Sequence, residues 1–522
     1  MALRTPPTDS RCATFQIVTD NSWFLTSAIP RTRECVKSRN FRFSTCNNTQ
    51  AFSSQGMRCI LGETCTLQHS RVSSKPMRKD EGGRQRFGKP QVSGSVSHLL
   101  TSIWLILAIG LAVRVGFLLE YTSHYSRHAL GVIPFLFESG NIAYSLATGQ
   151  GFSSPFRVPT GPTAWSTPVY PWLLSLIFRA FGTYTFASFL CAVILNIAFV
   201  TLASVPLFFA AKRITSVKVA AAACWIWALF PNAILIPVES LWEASLSALL
   251  VAAILWGTLR IDDSRAKRAW LLYGLFWGFT LMTNPSIAAV LPFLLGWLLW
   301  RGRRATGRWV NVALCCLIIF LCCVPWTIRN FRVFHEFVPL RSVAGLTLWL
   351  GNNERAQPRW NGQQHPIADS DERESYINLG ELDYMREKRN LALAYMVEHP
   401  DRELELIGRR FLAFWSGGTP FPVKDFLSQD SIRFRYVLLF NVAIAIGTLV
   451  GLIMLARRKN PYWFPLAVFP IVFPLTYYLT MVVPRYRLPI DPVLILLTAI
   501  GIANLGVRPS ENGKPTVAAV PR

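Results

Sequence analysis

Ten apolar runs, each close to the length that crosses about 30 Å of hydrocarbon, constrain this chain more than any other feature. They lie near 97–119, 186–211, 218–236, 240–259, 269–283, 285–300, 309–327, 434–456, 461–482 and 489–507. In lipid every backbone N–H and C=O must find its partner within the segment, so runs of this kind fold as helices. The expected fold class is all-α and polytopic. It has about ten transmembrane helices, interfacial helices in the first outer loop and a small outer domain before the last three helices. Pro231, Pro237, Asn284 with Pro285, and Pro484 mark the turns where one helix gives way to the next.

The spacers between these runs are basic. Lys212, Arg213 and Lys218 form one cluster, and Arg260, Arg265, Lys267 and Arg268 a second. Arg301, Arg303, Arg304 and Arg308 form a third, and Arg457, Arg458 and Lys459 a fourth. With an even count of ten runs, all four fall on the side of the N-terminus, which predicts cytoplasmic N- and C-termini in a bacterial inner membrane. Reading Asn284–Pro285 as the kink of one broken helix would instead invert everything after it and strand two clusters outside. A net charge of +24 would suit a nucleic-acid partner, but here the charge is parcelled out between apolar runs rather than laid along one soluble face. Nucleic acid is excluded as a partner on that pattern. At 52% hydrophobic and 16% charged residues, the chain has a membrane as its natural solvent.

Residues 1–95 carry 15 Lys or Arg against 6 Asp or Glu, with no sustained apolar period, and read as a disordered basic leader. Met77 opens "MRKDEGGRQRFGKP", a short basic stretch running into the first apolar run, and is the expected alternative start. Five cysteines between Cys12 and Cys65 have no metal-ligand spacing, and the other six lie inside apolar runs as small hydrophobes. The remaining chain divides into a membrane module at 96–327, with its first outer loop at 120–185, and an outer cap domain at 328–433. The last membrane helices at 434–507 and a cytoplasmic tail at 508–522 complete it.

Outer loops carry the polar chemistry. Between Tyr121 and Thr185 the single carboxylate is Glu138, in "FLFESGNIAYSLATGQGFSSPF". It admits two roles: a base or metal ligand meeting a substrate head at the membrane surface, or a charge on the following helix N-terminus worth roughly a few tenths of a kcal/mol. Glu239 and Glu243 are four apart in "IPVESLWEASLSALL", a spacing that predicts one helical face. Like charges there call for a shared cation, a proton or a basic partner, so both are candidate metal or acceptor-side acids. In "PRYRLP", Arg485 and Arg487 flank Tyr486 on the outer side, where a lipid-linked phosphate would match the guanidinium fork. Arg329, Arg332 and Arg341 add outer-face charge, equally suited to anchoring at lipid head groups beside Trp326. No Walker-type loop, H-E-x-x-H, nucleophile elbow or dinucleotide fingerprint occurs, so ATP hydrolysis, zinc proteolysis and hydride transfer lack their usual parts.

Over about 97–507 the chain resembles the C-type integral-membrane glycosyltransferases. The resemblance is to the bacterial branch with protein mannosyltransferase, aminoarabinose transferase and lipopolysaccharide glycosyltransferase relatives. It rests on layout and on short motifs: Glu138 in its loop, "TGPTAWSTPVYPWLLSLIFRAFG", "PWTIRNFRVFHEFVPLRSVAGLTLWLGNN" and "PRYRLPIDP". It implies transfer of a sugar from a polyprenyl phosphate on the periplasmic face to a glycolipid, polysaccharide or protein. Glu138 would serve as base or metal ligand, and Arg485, Tyr486 and Arg487 would receive the lipid phosphate. Many members have Asp or paired acids in this loop, whereas this chain has one Glu, a thin ligand set for a divalent Mg or Mn ion. Two rivals remain from the sequence: a flippase or transporter of a lipid-linked sugar, and a non-catalytic membrane assembly protein.

Overall fold

The computed structural model describes residues 99–303, 306–358, 362, 364–417 and 432–505. The leader with Met77 and its cysteines, and the tail beyond 505, lie outside these residues. Among the described residues there are helices and no strand; the one extended pairing is an isolated bridge between Ser153 and Pro162. The protein is an all-α polytopic membrane protein. Among the described residues each apolar run is largely helical, but five helices are long and apolar enough to cross a bilayer alone. A sixth arises if Val217–Leu229 and Pro231–Glu239, bent by 42°, count as one span, and Pro285–Arg301, Trp463–Leu479 and Asp491–Leu505 are shorter apolar passes.

The bend shows how a membrane helix tolerates proline. Pro231 and Pro237 have no N–H to give to the carbonyls of Trp227 and Ala233, four residues earlier. Arg114, fully buried in the helix Ile103–Ser123, supplies both: Nη2 donates to Trp227 O at 3.2 Å and Nε to Ala233 O at 2.8 Å. Its Nη1 donates to Gly110 O at 2.7 Å, so one guanidinium satisfies what two prolines release.

The basic clusters meet at one end of the bundle. Arg213 pairs with Asp263, Arg301 pairs with Asp262, and Arg308 donates to the Asp262 carbonyl at 2.6 Å. Arg301 also lies over Tyr462, 5.4 Å away, which brings the turn after Arg457 to the same end. At the opposite end stand the first loop and the helices Ala344–Gly351, Ser370–Leu379, Glu381–Glu398 and Pro400–Trp415. Ser370–Leu379 and Glu381–Glu398 are two helices rather than one, because Gly380 at φ +79° breaks the run between them.

Two buried side chains fasten these helices. Glu381 accepts from the Ala164 amide at 2.7 Å, Ser342 Oγ at 2.6 Å, Tyr376 OH at 2.7 Å and the Thr163 hydroxyl, tying the first loop to the later helices. Arg410 bonds Asn352 Oδ1 at 2.9 Å, Tyr478 O at 3.1 Å and the Gly351 carbonyl. At Gly351 a Cβ would stand 1.8 Å from Thr480 O, so only glycine permits this helix to approach the last turn.

Candidate active site

Glu138 is the first residue of the helix Glu138–Ala147 and is 4% exposed. That helix sits tightly on the turn Ile133–Phe135: at Gly140 a Cβ would lie 2.1 Å from Phe135 O. Asn141 secures the same corner, donating to the carbonyls of Leu136 and Pro155 at 3.0 Å each. The carboxyl faces a cavity of about 140 Å³ that it lines with Trp242, Glu243, Arg341, His365, Arg485 and Tyr486. Residues from the first loop, two interhelical turns and the later helical segment thus converge on one site.

Burial pushes the Glu138 carboxyl up to about 7; Glu243 adds to the rise, while a backbone hydrogen bond and Arg485 oppose it. A carboxyl that titrates near neutrality is suited to general-base work. Its Oε1 lies 3.3 Å from Nε2 of His365. The other ring nitrogen, Nδ1, accepts the Ile367 amide at 3.1 Å, so the hydrogen of the neutral ring is assigned to Nε2, the nitrogen that faces Glu138. Burial and Arg485 hold the imidazole down to about 3, so it stays neutral across the physiological range.

Arg485 lies over Trp242, 4.2 Å from the ring centroid, and over Tyr486 at 5.4 Å. Among the described residues it forms no ion pair, and its charge is felt at both Glu138 and His365. Arg341 donates to Ser286 Oγ at 3.0 Å, and the buried Ser166 hydroxyl on the cavity wall finds no hydrogen-bond partner among the described residues. Tyr486 stacks on Tyr477 at 4.8 Å.

Other candidates stand elsewhere. Arg487 is 1% exposed and turned away from the cavity, its Nε on Asp491 at 2.8 Å and its Nη1 on Trp415 O at 2.8 Å. Arg329 is a strut for the first loop, donating to Thr163 O at 2.6 Å and Phe152 O at 2.7 Å. Arg332 is exposed and outside the cavity wall. Glu239 and Glu243 do not share a helical face. Glu239 ends the helix Pro231–Glu239, extended backbone at Ser240 interrupts it, and Glu243 is the N-cap of Ala244–Ile261. Glu243 lines the cavity and Glu239 does not.

The donor set does not fit the divalent ion raised from the sequence. Among the described residues no three His, Cys, Asp or Glu side chains come together as ligands, and the His365 nitrogen nearest Glu138 carries a hydrogen rather than a free lone pair. Mg²⁺ asks for about six oxygens. A larger groove, about 730 Å³, lies at the opposite end between Leu291–Arg301 and Trp463–Val472, walled by Phe293, Trp297, Trp300 and Phe464 with no carboxylate. It offers no base. Sequence reasoning missed His365, whose one signal was a histidine within the turn-rich "GNNERAQPRWNGQQHP".

The family model described as dolichyl-phosphate-mannose-protein mannosyltransferase matches residues 165–328. A comparison with curated proteins finds no match. Among solved structures, the chain is similar to the apo oligosaccharyltransferase of Archaeoglobus fulgidus, at 13% identity and a TM-score of 0.45, over 77% of this chain and 50% of that one. The oligosaccharyltransferase AglB of the same organism, in complex with an inhibitory peptide and a dolichol-phosphate, is 15% identical with a TM-score of 0.44 over 77% and 50%. ArnT from Cupriavidus metallidurans in the apo state is 15% identical with a TM-score of 0.29 over 73% and 77%. The chain spans about half the length of the oligosaccharyltransferases it matches.

Proposed function

We propose that this relative of the C-type integral-membrane glycosyltransferases, which carries the mannosyltransferase family pattern over residues 165–328, moves a sugar from a polyprenyl-phosphate donor to an acceptor hydroxyl. The acceptor is a glycolipid, polysaccharide or protein on the outer membrane face. The observation that carries this is one cavity lined by a buried carboxyl, which burial pushes up to about 7, and by an arginine that forms no ion pair among the described residues. The basic clusters at the opposite end of the bundle support cytoplasmic termini and an outward-facing site.

In this scheme ionised Glu138 takes the proton of the acceptor hydroxyl as that oxygen bonds to the anomeric carbon of the sugar. The bond between that carbon and the phosphate oxygen breaks, and its electron pair leaves with the lipid phosphate. Arg485 receives this growing negative charge with the edge of its guanidinium, its face being covered by Trp242. Arg341 stands at the same cavity as a second cation, and the Ser166 hydroxyl offers a hydrogen bond to the sugar or phosphate. Burial, aided by the nearby Glu243, keeps the Glu138 carboxyl basic.

The test is a panel of polyprenyl phosphates carrying radiolabelled hexoses or pentoses, presented to the purified protein in proteoliposomes. Sugar should be released or transferred from at least one member, and Glu138→Gln should lower that turnover by about 100-fold or more while donor still binds. Movement of intact donor across the bilayer, with no cleavage and no effect of Glu138→Gln, would instead identify a flippase.

A further inference from the structure

The least expected contact in the cavity is the one between Glu138 and His365. They are far apart in sequence, one on the first loop and the other in the turn that precedes the helix Ser370–Leu379. Both are buried, at 4% and 7% exposure. The turn holding His365 is rigid: its carbonyl accepts the amides of Ala368 and Asp369 at 2.9 Å each, and Asp369 caps the next helix through the Asp371 and Glu372 amides. The ring stands edge-on to two aromatics of the first loop, Trp165 at 5.6 Å and Phe156 at 6.3 Å. Trp165 and Phe156 in turn pack on Tyr376, which donates to Glu381. Ring plane, tautomer and position are therefore all set before any substrate arrives.

We infer that His365 is a positioning residue for Glu138: its Nε2–H holds the carboxylate in one orientation, leaving the other oxygen to take the acceptor proton. This rests on the assignment of Glu138 as the base. A fixed donor of this kind does two things. It removes the carboxylate's freedom to rotate away from the acceptor, and it favours the ionised form that can accept a proton. His365 does not itself exchange protons, since Nδ1 is occupied by the Ile367 amide. It also makes the base dependent on correct docking of the segment 364–417 against the first loop. The charged and titratable groups that line the cavity with Glu138 are Arg485, Arg341, Glu243, Tyr486, Tyr477, Tyr170 and His365 itself. Of these, His365 brings an uncharged ring nitrogen to 3.3 Å from its carboxylate.

Two substitutions separate positioning from packing. His365→Phe keeps an aromatic ring between Trp165 and Phe156 but has no donor, whereas His365→Gln loses the ring and keeps a side-chain N–H of similar reach. With the donor turned over fastest in the panel above, Phe should lower kcat by about 10- to 100-fold with little change in donor KM, and Gln should recover most of the loss. The acid limb of the rate profile should move to higher pH in Phe and return in Gln. A substrate-free readout runs in parallel: the infrared band of protonated Glu138, identified by its loss in Glu138→Gln, should persist to higher pH in His365→Phe than in wild type. If Phe matches wild type in kcat and band, or if Gln is as impaired as Phe, the positioning role is overturned. Should Glu138→Gln turn over normally, it is the assignment of the base that fails. The infrared comparison still decides whether His365 orders the carboxyl.

Discussion

The cavity around Glu138 and the polar braces beneath it use the same side chains and differ in what those side chains face. Arg485 and Arg487 are two residues apart in one turn. Arg487 is buried on Asp491 and on the Trp415 carbonyl, while Arg485 is half-buried, pressed on Trp242, and has no ion pair among the described residues. Arg114 and Arg410 repeat the first pattern, with every described hydrogen bond directed at a carbonyl, amide or carboxylate of the fold. A buried arginine whose bonds run to carbonyls and carboxylates of the fold holds structure, even though Arg410 Nε and Arg487 Nη2 find no partner among the described residues; one whose edge faces a polar cavity is held ready for an anion.

Swapping properties across that divide sharpens it. The largest effect is expected at Arg487→Leu, which strands Asp491 in the interior. Loss of one partner of a buried pair costs about 3–5 kcal/mol, so little folded protein should survive detergent extraction and gel filtration. Arg485→Gln should leave folding and the thermal midpoint unchanged yet lower donor turnover by about 100-fold. If instead Arg485→Gln unfolds the protein and Arg487→Leu spares it, the division is wrong.

The smallest effect concerns stability and carries its own sign. The folded pKa of Glu138, about 7, lies above the ordinary 4.5, so the folded state holds this proton more tightly than the unfolded chain. The stabilisation is complete below the unfolded value and is lost as pH rises through the folded one. Glu138→Gln, which cannot ionise, should therefore raise the midpoint of thermal inactivation at about pH 8 by a few degrees and leave it nearly unchanged at about pH 4. A site that gains stability when its base is removed is bearing a functional cost.

Much of the fold was legible because hydrocarbon imposes helices on apolar runs, and the family match over residues 165–328 bears out the resemblance to the C-type glycosyltransferases. The details that escaped depend on backbone breaks and on long-range contact. Glu239 and Glu243 follow a helical spacing on paper, but the chain turns extended at Ser240 and sends them to different helices. Arg114 reads as a lone charge in an apolar run until the carbonyls released by Pro231 and Pro237 come beside it. Arg485 and Arg487 look equivalent in "PRYRLP", and only the one-turn helix Pro484–Tyr486 shows that they point apart. Glu138, by contrast, stood out as the single carboxylate of a long loop.

The most direct test of the central claim is the pH dependence of donor turnover in wild type beside Glu138→Gln. With Glu138 as the base, wild-type turnover should rise with pH to a half-maximum near the carboxyl's value of about 7, and the variant should lack both the activity and that limb. A wild-type rate that is flat from about pH 5 to 8, or a variant that keeps the limb, would contradict it.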